Sequence, residues 1–288
     1  MKEKLLLCTD LDRTLIPNGT QPESPAARDT FALLATRAGI HLVYVTGRHK
    51  TLVQQAIKCY SLPEPDFVIS DVGTRMYDLR NGDWQVWQDW EAEIAADWAG
   101  RSQTGLQTLF TDLPALQLQE TEKQNTHKLS YYVSLHEDSE ALINTMQQRL
   151  QKLGVHASLT WSIDEPAGLG LLDVLPGNAT KLHAIEFLRE RLGYTRSETL
   201  FAGDSGNDLP VFISPVPAIV VANTAHEVSD AARKGAEQAG HRDKLYFANG
   251  GFLGMNGNYS AGILEGVAHF KPGLGSWLAE QKGASHAG

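Results

Sequence analysis

Cysteine is scarce in this chain, and long apolar runs are missing from it. The 288 residues include two cysteines, Cys8 and Cys59, and no Cys-x-x-Cys pair, so neither a disulfide framework nor a cysteine metal site is expected. No stretch approaches the ~18 apolar residues that a membrane-spanning helix requires. The three leucines that follow Lys4 are too few for a secretory signal. We therefore expect a cytoplasmic protein with free thiols and no membrane partner.

Acidic residues outnumber basic residues in this chain, and this balance limits the binding partners that we expect. The chain has 25 Lys and Arg against 34 Asp and Glu, a formal net charge of −9, and no long basic run. Nucleic acid and anionic membranes are therefore poor candidates as partners. A length of 288 residues suits one large domain or two ordinary ones.

Apolar strands alternate with helical segments over residues 1–80 and again from residue 167 onward. Consecutive rather than alternating apolar residues in these strands suit a sheet that is covered on both faces. This pattern predicts an α/β protein with a Rossmann-like parallel sheet. The strands expected in that sheet are 5–9, 41–45, 66–70, 169–175, 199–202, 216–221 and 245–247.

Between these two parts lies a stretch of different character. A turn signal, Asn81-Gly82-Asp83, is followed by four of the six tryptophans. Predicted helices and alternating strands with one polar face then indicate an α+β insert at about 81–166. We therefore expect a discontinuous catalytic core, formed by 1–80 and 167–288, and an inserted cap domain at 81–166 that recognises the substrate.

Four polar motifs each end a predicted strand or open a predicted helix. Each alone is compatible with a turn, a helix cap or a solvated side chain. The carboxyl ends of parallel strands meet at one edge of a sheet, where open α/β sheets bind ligands, so together the motifs predict one phosphoryl-transfer site. They are Asp10-Leu11-Asp12-Arg13-Thr14, Thr46-Gly47-Arg48, Lys181 and Gly203-Asp204-Ser205-Gly206-Asn207-Asp208.

The acidic residues of these motifs suit a hard cation and a nucleophile. A phosphate monoester repels an attacking carboxylate, and Mg²⁺ with oxygen ligands would offset this repulsion. Asp10, Asp12, Asp204 and Asp208 are the candidate ligands, Asp12 through a backbone oxygen. Asp10 is also the candidate nucleophile, which would form an aspartyl-phosphate.

The remaining polar residues of the motifs suit the phosphoryl group. Lys181 and Thr46 are the catalytic candidates here, because an ammonium and a hydroxyl can hold the transferring oxygens. Thr46, Gly47, Arg48 and Asn207 are the candidate substrate-binding residues. Backbone N–H groups at the start of a helix can cradle the same group.

Asp12 favours turnover over signalling. Expelling a sugar alkoxide requires an acid, and a carboxyl group two residues after the nucleophile can donate that proton and later activate water. This role requires that a neighbouring carboxylate and closure of the site raise the pKa of Asp12. Receiver-type signalling domains phosphorylate an aspartate beside Mg²⁺ without needing such an acid.

The four motifs, in this order, resemble those of the haloacid-dehalogenase-like phosphatase superfamily, and the insert resembles the large α/β cap of one of its subgroups. The resemblance implies that Asp10 is the nucleophile, Asp12 the acid and base, Asp204 a metal ligand and the insert a lid that recognises the sugar. It spans nearly the whole chain. Further motifs resemble the sucrose-phosphatase family, namely Gln124-Asn125-x-x-Lys128-x-Ser130-Tyr131, Asp173-Val174-Leu175-Pro176 and the tail from Ala261 to Phe270.

The sugar itself stays open, because the resemblance also covers enzymes for related glycosyl phosphates such as mannosylfructose phosphate. Lys128 is the first candidate for a sugar contact, with a solvated strand lysine as the alternative. Asn125 and Asp164 stand at strand ends and are further candidates, although turns use the same residue types. The tryptophans of 87–98 follow the spacing of a buried helical stripe, which predicts core. The stretch 243–258 is longer than the family leads us to expect, and is either a surface loop or an element that reaches the site.

The sequence therefore favours a Mg²⁺-dependent phosphatase acting on a small sugar phosphate, and the resemblance implies sucrose 6-phosphate as the first candidate substrate. A phosphomutase and a non-catalytic sugar-phosphate-binding module are the alternatives, and the intact Asp10, Asp12, Lys181 and Asp204 argue against the second. We expect a monomer. A sucrose-phosphate synthase type of partner remains open.

Overall fold

The protein folds around two β-sheets, as seen in a computed structural model that describes residues 4–165 and 167–285. The strands, numbered in chain order, are β1 (Leu5–Thr9), β2 (Ile40–Val45), β3 (Phe67–Ser70), β4 (Arg75–Asp78), β5 (Gln85–Val86), β6 (Gln117–Leu118), β7 (Leu129–Ser134), β8 (Ala157–Asp164), β9 (Leu169–Pro176), β10 (Thr199–Gly203), β11 (Ala218–Val220) and β12 (Leu245–Phe247). The α-helices are α1 (Ala27–Ala35), α2 (Lys50–Tyr60), α3 (Gln88–Ala95), α4 (Gln103–Gln107), α5 (Ser139–Lys152), α6 (Lys181–Arg191), α7 (Leu209–Phe212), α8 (His226–Gln238), α9 (Ser260–Phe270) and α10 (Pro272–Ser285).

The larger sheet has eight strands in the order β12-β11-β10-β1-β2-β3-β4-β5. All neighbouring pairs from β12 to β3 are parallel, and β4 and β5 are added antiparallel at one edge. The Rossmann-like α/β class that the sequence predicted is confirmed. The carboxyl ends of β10, β1, β2 and β3 consequently lie side by side.

Both faces of this sheet are covered, as its consecutive apolar residues predicted. Leu5 and Leu7 of β1 belong to a core on one face, together with residues of α1, α2, α9 and α10. Leu6 and Cys8 of the same strand belong to a core on the other face, with residues of α3, α6, α7 and α8. Both cysteines are free, Cys8 being buried and Cys59 exposed.

The expectation that strand 169–175 returns to the parallel sheet is wrong. It forms β9, which pairs antiparallel with β7 on one side and β8 on the other, in a four-stranded sheet of order β6-β7-β9-β8. Leu171 and Asp173 are only partly buried, whereas Leu172 and Val174 are fully buried, so the strand does alternate. Leucine on both faces conceals this alternation in the sequence.

The boundaries of the insert therefore remain a prediction, and one end needs revision. A cut at 166/167 would separate β8 from β9, which pair over eight residues. We propose that the insert extends to about residue 177. At its other end, β5 pairs with β4 and thus belongs to the large sheet.

The tryptophan stripe of 87–98 is buried, but it serves two cores. Trp90 and Ile94 pack in the core of the large sheet that contains Leu6. Trp98 lies in the separate core beneath the four-stranded sheet. The stripe therefore links the two sheets through their apolar interiors.

Among the helices of the described residues, none combines the length and hydropathy needed to cross a bilayer.

Candidate active site

Three of the four predicted motifs follow neighbouring strands of the large sheet. Asp10 follows β1, Thr46 follows β2 and Asp204 follows β10. Lys181 comes from a different type of element, the first turn of α6, whose N-cap Thr180 accepts a hydrogen bond from the N–H of His183. Parallel pairing of the three strands brings these residues to one edge of the sheet, as the sequence predicted.

Asp10 is a buried carboxylate in a polar environment. Its Oδ1 accepts a hydrogen bond of 2.8 Å from the N–H of Leu11, and its Oδ2 lies 3.4 Å from Lys181 Nζ. Burial raises the pKa of Asp10 to about 7, with Asp208 and Asp204 contributing in the same direction and Lys181 opposing them. The side chain is therefore held in place and costly to ionise without further positive charge.

Asp10, Asp204 and Asp208 form one buried carboxylate cluster. One ligand oxygen from each lies within 4.8 Å of the others. Burial, followed by the negative charge of Asp208, raises the pKa of Asp204 to about 6, against the influence of Thr14 and Arg13. Three converging carboxylate oxygens are the donor set of a hard divalent cation, so these residues fit Mg²⁺.

Asp208 and Asn207 orient the lysine. Lys181 Nζ donates to Asp208 Oδ1 at 2.6 Å and to Asn207 Oδ1 at 3.0 Å. Burial acts to lower the pKa of Lys181, but Asp10 and Asp208 outweigh it and the pKa lies above its usual value. Lys181 is thus a fixed positive charge beside Asp10.

The pKa expected for Asp12 is not what the structure shows. Burial acts to raise this pKa, but Arg48 and Asn18 outweigh it and the pKa lies below its usual value. Arg48 forms a two-pronged pair with the Asp12 carboxylate, at 2.6 and 2.8 Å, and Asn18 Nδ2 donates to it at 2.7 Å. Neighbouring carboxylates, on which the prediction relied, matter less for this pKa than the guanidinium of Arg48, which follows the next strand, β2.

These residues border an open pocket of about 360 Å³. Thr46 is not one of the lining residues; it is almost fully buried, and its hydroxyl accepts a hydrogen bond from the N–H of Arg48. The residues that line the pocket are Asp10, Asp12, Arg13, Gly47, Arg48, Leu52, Asp204, Ser205 and Asn207. Three of the four predicted motifs thus line a single concave site, and Lys181 contacts it through Asp10.

The three sugar-contact candidates of the insert lie in different places. Lys128 is buried where the insert meets the large sheet, 3.9 Å from Asp71 and 4.0 Å from Asp173. The side chain of Asn125 is engaged by hydrogen bonds within the protein, since its Nδ2 donates to the hydroxyl of Thr74 and its Oδ1 accepts from the N–H of His127. Asp164 accepts from the N–H of Ala167 in the turn after β8, roughly 20 Å along the sheet from Lys128.

Asp71 is a buried polar residue at this edge that the motifs did not include. It directly follows β3, and its N–H donates to the carbonyl of Arg48. The signal was present, because Asp71 follows the predicted strand 66–70 as Asp10 follows 5–9. Without a second motif residue beside it, Asp71 resembles an ordinary turn residue.

The stretch 243–258 does not line the pocket, but it is tied to the loop that carries the aspartate pair. Buried Glu265 accepts the N–H groups of Asn249 and Gly250, which fixes the stretch at its centre. At its end, Asn223 accepts from the N–H of Tyr259 and donates to the carbonyl of Arg13 at 2.6 Å. None of the lining residues found within the described chain comes from 243–258.

Comparison with known proteins gives consistent results. The family of sucrose-6F-phosphate phosphohydrolases matches residues 3–271. A HAD-like hydrolase of Nitrosococcus oceani is 54% identical over 278 residues, covering 96% of this chain and 75% of that protein. Sucrose-phosphatase 1 of Nicotiana tabacum is 30% identical over 277 residues, and this chain spans 60% of its length. Mannosylfructose-phosphate phosphatase of Agrobacterium fabrum is 24% identical over 271 residues and is covered to 98%.

Solved structures agree with these relatives. The sucrose-phosphatase of Synechocystis sp. PCC6803, solved in complex with sucrose and phosphate, is 25% identical with a TM-score of 0.68, covering 93% of this chain and 98% of that one. A haloacid dehalogenase-like hydrolase of Bacillus subtilis, at 15% identity and a TM-score of 0.65, shares the fold over 93% of this chain and 92% of its own. The chain therefore belongs to the sucrose-6F-phosphate phosphohydrolase family, phosphoric monoester hydrolases with the haloacid-dehalogenase-like fold.

Proposed function

We propose that this protein is a Mg²⁺-dependent phosphatase that hydrolyses a sugar phosphate through an aspartyl-phosphate, with sucrose 6-phosphate as the first candidate substrate. The observation that supports this most directly is the position of the Asp10 carboxylate, in a pocket beside Lys181 and the carboxylates of Asp204 and Asp208. Mg²⁺, held by Asp10, Asp204 and Asp208, would supply the positive charge that lets Asp10 and a phosphate dianion approach each other.

In the first step, a carboxylate oxygen of Asp10 attacks phosphorus and the bond from phosphorus to the sugar oxygen breaks. Lys181 lies 3.4 Å from Asp10 Oδ2 and carries a fixed positive charge next to the reacting carboxylate. Gly47 lines the same pocket and the buried Thr46 directly precedes it, so an oxygen of the phosphoryl group could accept hydrogen bonds from this loop. These groups stabilise charge that develops during the transfer.

Asp12 gives its proton to the leaving sugar oxygen and then takes one from the water that hydrolyses the aspartyl-phosphate. In the conformation described, Asp12 is paired with Arg48 and its pKa lies below the usual value. Proton donation therefore requires Arg48 to release Asp12. Arg48 lines the phosphate pocket, and a phosphate dianion there offers it a second anionic partner.

The names of the relatives support a sugar phosphate as the proposed substrate, but they do not distinguish between sugars. Relatives at comparable identity carry the names sucrose-phosphatase and mannosylfructose-phosphate phosphatase. Both names describe the removal of phosphate from a glycosylated fructose. We therefore propose a disaccharide phosphate as the substrate class and place sucrose 6-phosphate first, with mannosylfructose phosphate as the alternative.

A panel assay tests the proposal. Purified protein with Mg²⁺ is given sucrose 6-phosphate, mannosylfructose phosphate, glucose 6-phosphate and p-nitrophenyl phosphate, and free phosphate is measured. We expect stoichiometric phosphate release, with kcat/KM for one disaccharide phosphate at least about tenfold above that for glucose 6-phosphate. Transfer of phosphate to another sugar position without release would indicate a phosphomutase instead.

A further inference from the structure

The segment after β3 adopts a strained backbone at the place where the insert meets the large sheet. Asp71, Val72 and Gly73 have φ values of 53°, 61° and 92°, so two side-chain-bearing residues, one of them β-branched, are in the left-handed region. Such strain persists only where surrounding contacts impose it, and it concentrates at functional sites.

Contacts on both sides hold this segment against the candidate active site. The N–H of Val72 donates to the carbonyl of Thr46, and the N–H of Asp71 donates to that of Arg48. The carbonyl of Gly73 accepts from the indole of Trp90 at 3.0 Å. The backbone of Asp71 is thereby fixed beside the Thr46-Gly47-Arg48 loop.

The Asp71 carboxylate faces a lysine of the insert across a short distance. One of its oxygens, Oδ2, accepts from the hydroxyl of Ser70, and the other, Oδ1, lies 3.9 Å from Lys128 Nζ. Asp173 has the same arrangement, with Ser130 donating to Oδ1 and Lys128 Nζ lying 4.0 Å from Oδ2. One ammonium thus stands between two carboxylate oxygens.

Within the described chain, no hydrogen bond engages Lys128 Nζ, Asp71 Oδ1 or Asp173 Oδ2. The separations of 3.9 and 4.0 Å exceed hydrogen-bond length. A hydroxyl group that accepts from the ammonium and donates to a carboxylate would bridge such a separation at ordinary lengths of about 2.7–3.0 Å. A hydrogen-bond donor beside an acceptor can bind a sugar hydroxyl, because a hydroxyl both accepts and donates hydrogen bonds.

Because the lysine belongs to the insert and Asp71 to the large sheet, we propose that Asp71 is a substrate-binding residue that, with Lys128, binds a hydroxyl of the sugar leaving group and so contributes to substrate specificity. This inference rests on the proposed function, since it requires a sugar phosphate as substrate. Asp10, Gly47 and Arg48 line one pocket, and the N–H of Asp71 donates to the carbonyl of Arg48, so Asp71 adjoins the loop that borders the proposed phosphate site.

The test compares a substrate that has sugar hydroxyls with one that lacks them. Two variants are used, Asp71→Asn, which keeps the shape, and Asp71→Gly, which removes the carboxylate and accepts a φ of 53° without strain. We expect kcat/KM for sucrose 6-phosphate to fall about 10- to 100-fold, mainly through KM, with p-nitrophenyl phosphate changed less than about twofold.

Two further variants serve as references. Asp78→Asn makes the same chemical change on β4, where the carboxylate pairs with Arg80, and should leave both substrates unchanged. Lys128→Met should resemble the Asp71 variants, and the Asp71→Asn/Lys128→Met double variant should lose less than the product of the two single losses.

The outcomes separate the inference from the proposed function. Equal losses on both substrates would mean that Asp71 only holds the insert in place, and unchanged kinetics would mean that it does not contact the sugar; either result overturns the inference. If the wild-type protein hydrolyses p-nitrophenyl phosphate but no sugar phosphate, the proposed function itself fails. That failure is seen in the wild-type protein before any variant is compared.

Discussion

The aspartates at this site share one side-chain type but differ in pKa, because their neighbouring groups differ. Burial raises the pKa of Asp10 to about 7, whereas Arg48 and Asn18 hold that of Asp12 below its usual range, although only Leu11 separates the two aspartates in the chain. Asp71, which the motifs left out, is buried beside a lysine of the insert. The local environment therefore assigns different tasks to side chains of one type.

Substitution of Asp12 tests its role as the acid. Asp12→Asn should lower kcat for sucrose 6-phosphate by about 10²- to 10⁴-fold, because an alkoxide leaves poorly without a proton. The loss on p-nitrophenyl phosphate should be smaller, because nitrophenolate needs little protonation. Steady-state kinetics on both substrates gives the ratio, and equal losses would argue against proton donation by Asp12.

Substitution of Asp71 also has a consequence for stability. Burial raises the pKa of Asp71, although Lys128, Ser70, His49 and Arg75 act to lower it. When the pKa of an acid is higher in the folded than in the unfolded chain, its ionisation destabilises the folded protein. The free energy of unfolding therefore falls as the pH rises from the unfolded pKa towards the folded pKa. Asp71→Asn removes this cost, so its Tm should rise relative to that of the wild-type protein over a range of pH that extends upward from about 4.

Thermal unfolding of both proteins across that range measures the difference. Asp78→Asn, whose parent carboxylate has a lowered pKa beside Arg80, is the control and should show the opposite trend. A Tm difference for Asp71→Asn that stays constant or shrinks with rising pH would contradict the assignment.

At the scale of elements, the strained segment 71–73 contacts a loop and two helices that are distant from one another in the sequence. It contacts the Thr46–Arg48 loop through backbone hydrogen bonds and α3 through Trp90. Gly73 also packs against the backbone of Thr180, one residue before Lys181. The geometry of this segment therefore bears on the position of Lys181.

Gly73→Ala tests this connection. The new Cβ would lie 3.1 Å from the carbonyl carbon of Thr180 at a φ of +92°, so the first turn of α6 must shift. We expect a loss of about 2–4 kcal/mol in the free energy of unfolding and a lower kcat on every substrate. Gly82→Ala is the matched control, because its φ is +85° but nothing lies within 4 Å of the new Cβ.

Gly82→Ala should lose only about 1–2 kcal/mol from backbone strain and leave kcat unchanged. Urea denaturation and steady-state kinetics on the same preparations separate the two effects. The same kcat for Gly73→Ala as for the control would show that α6 does not depend on this contact.

The elements also show what could be predicted from the sequence. Apolar strands that end in Asp10, Thr46 and Asp204 were predicted to meet at one edge, because parallel strands of one sheet leave no other arrangement. The partners of β9 could not be predicted, since Leu169, Leu171 and Leu172 conceal which face is buried. The pairing of Arg48 with Asp12 depends on side-chain orientation, which residue spacing does not determine.

At the scale of the whole molecule, one edge of the large sheet gathers negative charge from two distant parts of the chain. Asp10, Asp204 and Asp208 lie close enough for one cation to contact all three. Lys181 and Arg13 compensate for only part of this charge. Such a site should be more stable and more active with a divalent cation bound.

Removal of metal tests this expectation. Treatment with a chelator should abolish phosphate release, and added Mg²⁺ should restore it. Because the cation binds the folded protein, Mg²⁺ should also raise the Tm of the metal-free protein, and this effect should be lost in Asp204→Asn. Full activity after exhaustive chelation would contradict a metal-dependent mechanism.

The central claim is that Asp10 attacks the phosphate of a sugar phosphate. Its most direct test is the rate of phosphate release from sucrose 6-phosphate with Mg²⁺, measured for the wild-type protein and for Asp10→Asn with an unchanged circular dichroism spectrum. We expect a loss of at least about 10³-fold for Asp10→Asn, because an amide cannot form the aspartyl-phosphate. An Asp10→Asn protein that retains a rate within tenfold of the wild type would contradict the central claim.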